Sequence, residues 1–281
     1  MKKIDSHQHF WDPAGKTSPW SYGWLDEPQH APINRSFLPS DLAPLLDANE
    51  IEGSVFVQAQ HHLEETRWAL QMAEENNFLR GVVGYVDLQA PELEDQLDEF
   101  TGSQWFKGIR HIVQDEPDDE FLLQPSVLNG LKALSRRSLP FDLLLQPRHL
   151  EMLPRLAAEL PDLQMVINHC AKPDLSNRDT DSWHLKFAKL SEFENLNCKI
   201  SGLVTEADWT GWTIDELRPI FDTALQTFGP NRLLYGSDWP VCTLAATYDE
   251  VFQSAITLTA GLSSSEQAGI FGHNAIRFYG L

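Results

Sequence analysis

The chain has 281 residues, 42% of them hydrophobic, and its 41 acidic residues against 21 basic ones give a formal net charge of −20. That much apolar material excludes a disordered chain. No apolar run approaches the roughly 20 residues of a membrane span, and so acidic a surface repels nucleic acid and anionic membranes, which leaves a small molecule as the expected partner and the oligomeric state open. Met1-Lys2-Lys3 runs straight into Ile4-Asp5-Ser6-His7-Gln8-His9 with no apolar stretch behind it. A secretory signal is therefore not expected, and the cytoplasm is the default location. Cys170, Cys198 and Cys242 are odd in number and form no CxxC pair. They read as small buried hydrophobes, not as a disulfide framework or a cysteine metal knuckle.

Short apolar runs alternate with longer amphipathic ones, the pattern of repeated strand–helix units around a parallel sheet. Strands are expected over 4–9, 53–60, 81–87, 106–112, 141–146, 165–169, 197–201 and 232–236. Runs such as Val55-Phe56-Val57 are apolar at successive positions, as strands covered on both faces should be. Helices fit between them: one capped by Ser40, then 65–76, 92–100, 126–135, 150–159, 184–193, 214–228 and 248–257, with a last one over 264–271. Eight such pairs predict an α/β fold, a single (β/α)8 TIM barrel occupying 1–281, with a doubly wound open sheet as the alternative. The segment 12–39 lacks strand or helix character and contains Trp20 and Trp24. A loop that long after the first strand would overhang the C-terminal mouth as a lid or substrate flap, with Trp24 available to stack on a ring. The acidic run 115–120 reads as a solvated loop.

Chemistry concentrates at the expected strand ends. His7 and His9 alternate on the first strand and so project from one face, a good pair for a divalent ion. His169 ends the sixth strand. Asp238 ends the eighth, in Tyr235-Gly236-Ser237-Asp238-Trp239-Pro240. A carboxylate there costs desolvation unless a cation or hydrogen bonds compensate, so it reads as a metal ligand or as the base that activates water. A cap on the following turn is the alternative. Arg110 would face the mouth and grip a carboxylate or ring oxygen, or else pair with an acidic loop. Gln58 and His61 or its neighbour His62 follow the second strand within reach of substrate hydroxyls. Lys172 and Trp239 flank the sixth and eighth strand ends, and Lys172 could neutralise a released carboxylate. Arg148 and His149 read as structural.

The ordered set Ile-Asp-Ser-His-Gln-His-Phe-Trp at 4–11, Lys107-Gly108-Ile109-Arg110-His111, Asn168-His169-Cys170-Ala171-Lys172-Pro173, Tyr235-Gly236-Ser237-Asp238-Trp239-Pro240 and Gly272-His273-Asn274-Ala275-Ile276-Arg277-Phe278-Tyr279 resembles the amidohydrolase-2 family. Within it, the chain is similar to the branch of sugar lactonases (those for L-fuconolactone and L-rhamnonolactone) and 2-pyrone-4,6-dicarboxylate lactonases. The resemblance implies a barrel hydrolase that opens a lactone, an ester bond, with water. It places His7, His9, His169 and Asp238 in the family's metal and catalytic positions, with Asp238 taking a proton and the histidines stabilising the carbonyl oxygen. The bridging carboxylate or carboxylated lysine and fifth-strand histidine of two-metal relatives are replaced by Arg110, His111 and Gln146. One divalent ion (zinc or manganese) or a metal-free site is therefore implied. Few cations stand at the mouth, Arg110, Lys172 and Arg148, which favours a neutral aldonolactone over a dicarboxylate. The rival within the superfamily is a metal-dependent decarboxylase, and the rival outside it is a non-catalytic barrel that binds a small ligand.

Overall fold

In the computed structural model, residues 2–13, 15, 20–177 and 179–281 are described. Eight parallel strands follow one another in sequence order around a (β/α)8 barrel: β1 Ile4–Gln8, β2 Gly53–Val57, β3 Leu79–Gly84, β4 Phe106–Ile112, β5 Phe141–Leu144, β6 Met165–Ile167, β7 Leu196–Ile200 and β8 Leu233–Tyr235. Each pairs with the next in parallel register. The ring closes where Gln8 bridges Trp239, with His9 N donating to Trp239 O at 2.7 Å and Asp238 N to His7 O at 2.8 Å. Buried Asp5 reinforces that seam. Its carboxylate accepts from Ser237 N at 2.9 Å and His7 N at 3.1 Å, both on the seam, and from the Tyr248 hydroxyl at 2.9 Å. An open doubly wound sheet is thereby excluded.

The helices are α1 Pro39–Ala48, α2 Leu63–Glu75, α3 Leu93–Thr101, α4 Pro125–Arg136, α5 Leu153–Glu159, α6 Asp181–Ala188, α7 Ile214–Phe228, α8 Tyr248–Thr259, α9 Ser264–Ala268 and α10 Asn274–Tyr279. Most start within three residues of their sequence-based positions. Ser40 is not the cap of α1, however: Pro39 opens the helix, and Asp41 reaches back to accept from Leu38 N at 2.8 Å. The helix expected over 264–271 is broken by a π-helical turn, Gly269–His273, and resumes as α10. The strands β2, β3, β5 and β6 stop two or three residues earlier than expected and β8 one residue earlier; at β6 and β8 the chain turns at the mouth before His169 and Asp238.

The main core lies between the strands and the surrounding helices. A smaller cluster gathers Ile4, Val55, Val57, Val83, Val166 and Leu234 from five strands with Ala275 and Tyr279 of α10. The C-terminal motif thus plugs the floor of the ring. Asn274 anchors it by donating to Pro230 O at 2.8 Å and Leu233 O at 2.7 Å. At Gly272 the chain passes so close to β1 that a Cβ would overlap the Lys2 carbonyl oxygen. No helix among the described residues is long and apolar enough to cross a membrane.

The segment 12–39 has more structure than its sequence suggests: two 3-10 turns, Gly23–Asp26 and Pro28–Ile33, and a bridge between Trp11 and Phe37. Residues 14 and 16–19 of it lie outside the described residues. Glu65 ties the flap to the barrel rim. Its fully buried carboxylate accepts from Ala59 N and Gln60 N, each at 3.0 Å, and from the Tyr22 hydroxyl at 3.1 Å.

Two expectations follow. Gly272→Ala should destabilise the protein by about 1–3 kcal/mol in urea unfolding, the scale of an overpacked core position; an unchanged midpoint would mean that the β1 approach is soft. Burial pushes the Glu65 carboxyl up to about 8. A carboxyl raised on folding stabilises fully below its unfolded value near 4.5, and that contribution is lost as pH rises toward 8. The melting-temperature advantage of the parent over Glu65→Gln should therefore shrink between about pH 5 and pH 9. An advantage that grows with pH would show that the carboxylate form is the one preferred.

Candidate active site at the barrel mouth

A cavity of about 340 Å³ opens at the C-terminal end of the strands, lined by His9, Arg110, His169, Lys172 and Asp238 from the barrel and by Trp24, Glu27 and His30 from the flap. That is the end at which barrel enzymes assemble their loops. The backbone gets the side chains there by leaving the strand geometry. After Ile167 the chain makes four successive left-handed residues, His169, Cys170, Ala171 and Lys172, with φ between 50° and 59°. His169 is therefore presented by a tight turn, not by the end of a strand as its sequence suggests, and Asp238, at φ 59°, is presented in the same manner. Gly202, at φ 62°, makes room: a Cβ there would lie 2.5 Å from His169 Nδ1.

Three imidazoles converge on one carboxylate oxygen. Asp238 Oδ1 lies 3.3 Å from His9 Nε2 and 3.6 Å from the Nε2 atoms of both His7 and His169. His9 donates from Nδ1 to Val57 O at 2.6 Å, so its Nε2 presents a lone pair to the cavity. His169 Nδ1 meets the Ser201 hydroxyl at 2.9 Å. Burial holds His7, His9 and His169 below the usual imidazole range, His169 at about 3, so all three are neutral near pH 7. Burial alone would raise Asp238, but His169, His9 and Lys172 outweigh it and hold the carboxyl below its ordinary value. The result is an ionised carboxylate among neutral imidazoles.

Arg110 is buried beneath this group. Nη1 lies 3.4 Å from His7 Nε2 and from Asn168 Oδ1, and Nη2 donates to Gln58 O. Burial brings the guanidinium down to about 10, so it stays charged at neutral pH. Lys172 faces Glu206 at 3.6 Å across the rim. Trp24 lines the cavity from the flap, its ring edge-on to Trp11 at 5.2 Å.

Other expected contacts fall elsewhere. Gln58 is fully buried and spends its amide on Arg110 O at 3.1 Å. His61 stacks between Tyr85 and His111 and accepts from Ile112 N at 2.8 Å, bracing the loop after β4. His62 caps α2. Trp239 is buried between Phe10 and Phe37 and is not among the residues lining the cavity. The acidic run after β4 is not simply solvated, since Asp119 pairs with Arg148 and Glu120 with Arg155.

The sequence reading passes over the floor of the site. Lys199 of β7 and Asp142 of β5 are both fully buried and form an ion pair of 2.5 Å. Asp142 also accepts from the Tyr279 hydroxyl at 2.7 Å and Asn168 Nδ2 at 3.0 Å. Lys199 Nζ stands 3.2 Å from His7 Nδ1. The signal was a lone charge inside each of two otherwise uncharged strands, Phe141-Asp142-Leu143-Leu144 and Leu196-Asn197-Cys198-Lys199-Ile200.

The family model described as amidohydrolase matches residues 4–281. The chain belongs to the amidohydrolase family. Its relatives include the L-fucono-1,5-lactonases of Burkholderia ambifaria, 35% identical over 99% of this chain and 95% of that protein, and of Burkholderia multivorans, 36% identical over 99% and 96%. A solved amidohydrolase from Burkholderia multivorans with bound zinc superposes with a TM-score of 0.93 at 36% identity, covering all of both chains.

The donors present here fit a divalent ion. Ligand atoms of His7, His9 and Asp238 all lie within 4.8 Å of one another, and imidazole nitrogen with carboxylate oxygen is a donor set zinc accepts. His9 has the free lone pair and the carbonyl partner typical of a ligating histidine. His7 differs, because its rear nitrogen faces an ammonium.

Proposed function

We propose that the protein is a hydrolase that opens a neutral sugar lactone, an aldonolactone of the L-fucono-1,5-lactone type, to its hydroxy acid. The observation that carries this is the ionised, buried Asp238 carboxylate surrounded by three neutral imidazoles and a guanidinium at the floor of a small cavity. The full-length likeness to two fuconolactonases names the substrate class.

The reaction needs a base, an oxyanion site and a proton donor. Asp238 accepts a proton from water, whose oxygen attacks the lactone carbonyl carbon. The developing oxyanion is met by Arg110 and by imidazole N–H, both already in place in a site largely closed to solvent. Collapse of the tetrahedral intermediate breaks the bond to the ring oxygen, which takes the proton back from Asp238 and leaves as a hydroxyl. Lys172 stands at the rim where the new carboxylate forms. A divalent ion held by His9 and Asp238, with His169 beside them, would polarise the carbonyl and acidify water. In either form, Asp238 must be ionised and the imidazoles neutral.

Trp24, Glu27 and His30 supply the sugar-facing side. His30 donates from Nδ1 to Trp24 O at 2.7 Å, which leaves its Nε2 as an acceptor for a hydroxyl. Charge balance in the cavity favours a neutral ring: Glu27 and Asp115 offset Arg110 and Lys172. Among the described residues, a dicarboxylate would find no unopposed cations there.

A pH-indicator assay on a panel of aldonolactones and pyrone lactones, with and without chelator, tests the reading, and silence on every sugar lactone would sink it. Asp238→Asn should keep the fold and lose at least about a hundredfold in kcat, the scale of a general base. Because Asp238 is held below its ordinary 3.8 and burial lowers all three imidazoles, kcat/KM should show no acid limb at the free-imidazole value of about 6.5. A steep acid limb centred near pH 6.5 would show instead that a histidine is the base.

A further inference from the structure

His7 is the member of the imidazole group whose chemistry the mechanism has not assigned. Its two nitrogens see different surroundings. Nδ1 points to the barrel floor, 3.2 Å from Lys199 Nζ. Nε2 points to the mouth, 3.2 Å from His9 Nε2, 3.6 Å from Asp238 Oδ1 and 3.4 Å from Arg110 Nη1.

The floor leaves little freedom in the proton positions. Asp142 accepts from Tyr279, Asn168 and Lys199 together, a set of three donors that an ionised carboxylate satisfies. Lys199 lies 2.5 Å from that carboxylate with no exposed surface, so the pair is an ammonium and a carboxylate, neutral as a unit. An ammonium has donors only. His7 Nδ1 must then offer its lone pair, and the one hydrogen of a neutral imidazole sits on Nε2.

The mouth agrees with the floor. His9 has given its Nδ1–H to the Val57 carbonyl, so its Nε2 is an acceptor, and the Nε2–H of His7 is the donor that meets it. The opposite tautomer would set Nδ1–H against the ammonium and a lone pair against the lone pairs of His9 and Asp238. Arg110 is the one neighbour that would prefer it, and Arg110 Nη1 has Asn168 Oδ1 at the same 3.4 Å.

We propose that Lys199 is a positioning residue that locks His7 as the Nε2–H tautomer, so that His7 donates a hydrogen bond to the lactone carbonyl oxygen instead of ligating a metal. The donation to the carbonyl rests on the lactonase reading, whereas the tautomer does not. Metal binding is left to His9 and Asp238, and the electrophilic role that a second histidine ligand would leave to the ion is taken by an N–H. Lys199 never touches substrate; it acts through His7.

The tautomer can be read directly. In chelator-treated, full-length protein labelled with 15N-histidine, long-range 15N–1H correlation spectra separate protonated from lone-pair ring nitrogens, and His7 is assigned by its loss in His7→Gln. The expected result at neutral pH is a protonated Nε2 and an unprotonated Nδ1; the reverse pattern overturns the proposal without any variant of the floor. Lys199→Met is paired with Asp142→Asn, so that no unpaired charge is left inside the barrel. This double variant should shift His7 toward Nδ1–H and bind zinc at least about tenfold more tightly in chelator competition, the scale of a changed outer-sphere partner. Its kcat should fall at least about tenfold with little change in KM, as for a lost oxyanion donor. A zinc affinity and His7 tautomer unmoved by the double variant would reduce Lys199 to a packing group. An Nε2–H His7 in a protein that opens no lactone would instead remove the lactonase reading and leave the role of Lys199 standing.

Discussion

The buried ion pair between Lys199 and Asp142 is the interaction on which the site is built. Two charges with no exposed surface are costly unless each is matched, and here every partner is supplied by the barrel itself. β5 and β7 bring the pair, β6 brings Asn168, and α10 brings Tyr279 up through the floor. Replacing such a pair by apolar side chains is often neutral or favourable for stability, so its presence beneath three histidines points to function. The C-terminal plug is therefore part of the site: without Tyr279, Asp142 Oδ1 would lose its hydrogen-bond donor.

Above this floor, burial does the electrical work. It keeps the imidazoles neutral, which makes them available as donors or ligands, while the contacts with His169, His9 and Lys172 hold Asp238 below its ordinary value and so ionised. A base and its electrophiles thus coexist within 4 Å without neutralising each other by proton transfer. The unusual backbone serves the same end. Left-handed residues at His169 and Asp238 turn two side chains inward from strands that have already ended. Positions of that kind cost conformational energy, and the seam bonds of β1 to the segment after β8 hold Asp238 in place.

The barrel was legible in the sequence because its signal is collective: eight apolar runs in alternation with eight amphipathic ones, each short enough to be a strand. Element ends were not, since after β2, β6 and β8 burial continues past the strand into turns that contain polar residues. His7, His9, His169 and Asp238 could be seen as a group because each sits at the rim of a strand with its type out of place. Gln58, His61 and Trp239 have the same outward marks, yet they brace the rim, because a hydrogen-bond partner for the first two and aromatic packing for Trp239, nearby in space and not in sequence, claimed them first. Lys199 and Asp142 were missed for the opposite reason. Each is a single charge inside a hydrophobic run, and periodicity arguments discount a lone exception, although a lone charge that cannot reach water is the strongest polar signal a barrel strand can carry.

The same floor bears on why a family so often associated with metal can keep its chemistry in a single-ion or ion-free site. The family resemblance implies a bridging ligand on the fourth strand of two-metal relatives, where this chain has Arg110. Arg110 brings a fixed positive charge to the place where a bridge would be, and Lys199 puts another behind His7. The Arg110 charge opposes a second metal and at the same time supplies part of the field that metal would have provided to the developing oxyanion, whereas Lys199, neutralised by Asp142, acts only on His7. A protein that builds its electrophile from donors on rigid strands trades Lewis acidity for permanence: the donors cannot be chelated, and they are already oriented when the substrate arrives. For a lactone, whose strained ester already favours opening, that weaker but permanent field is a sufficient match to the reaction.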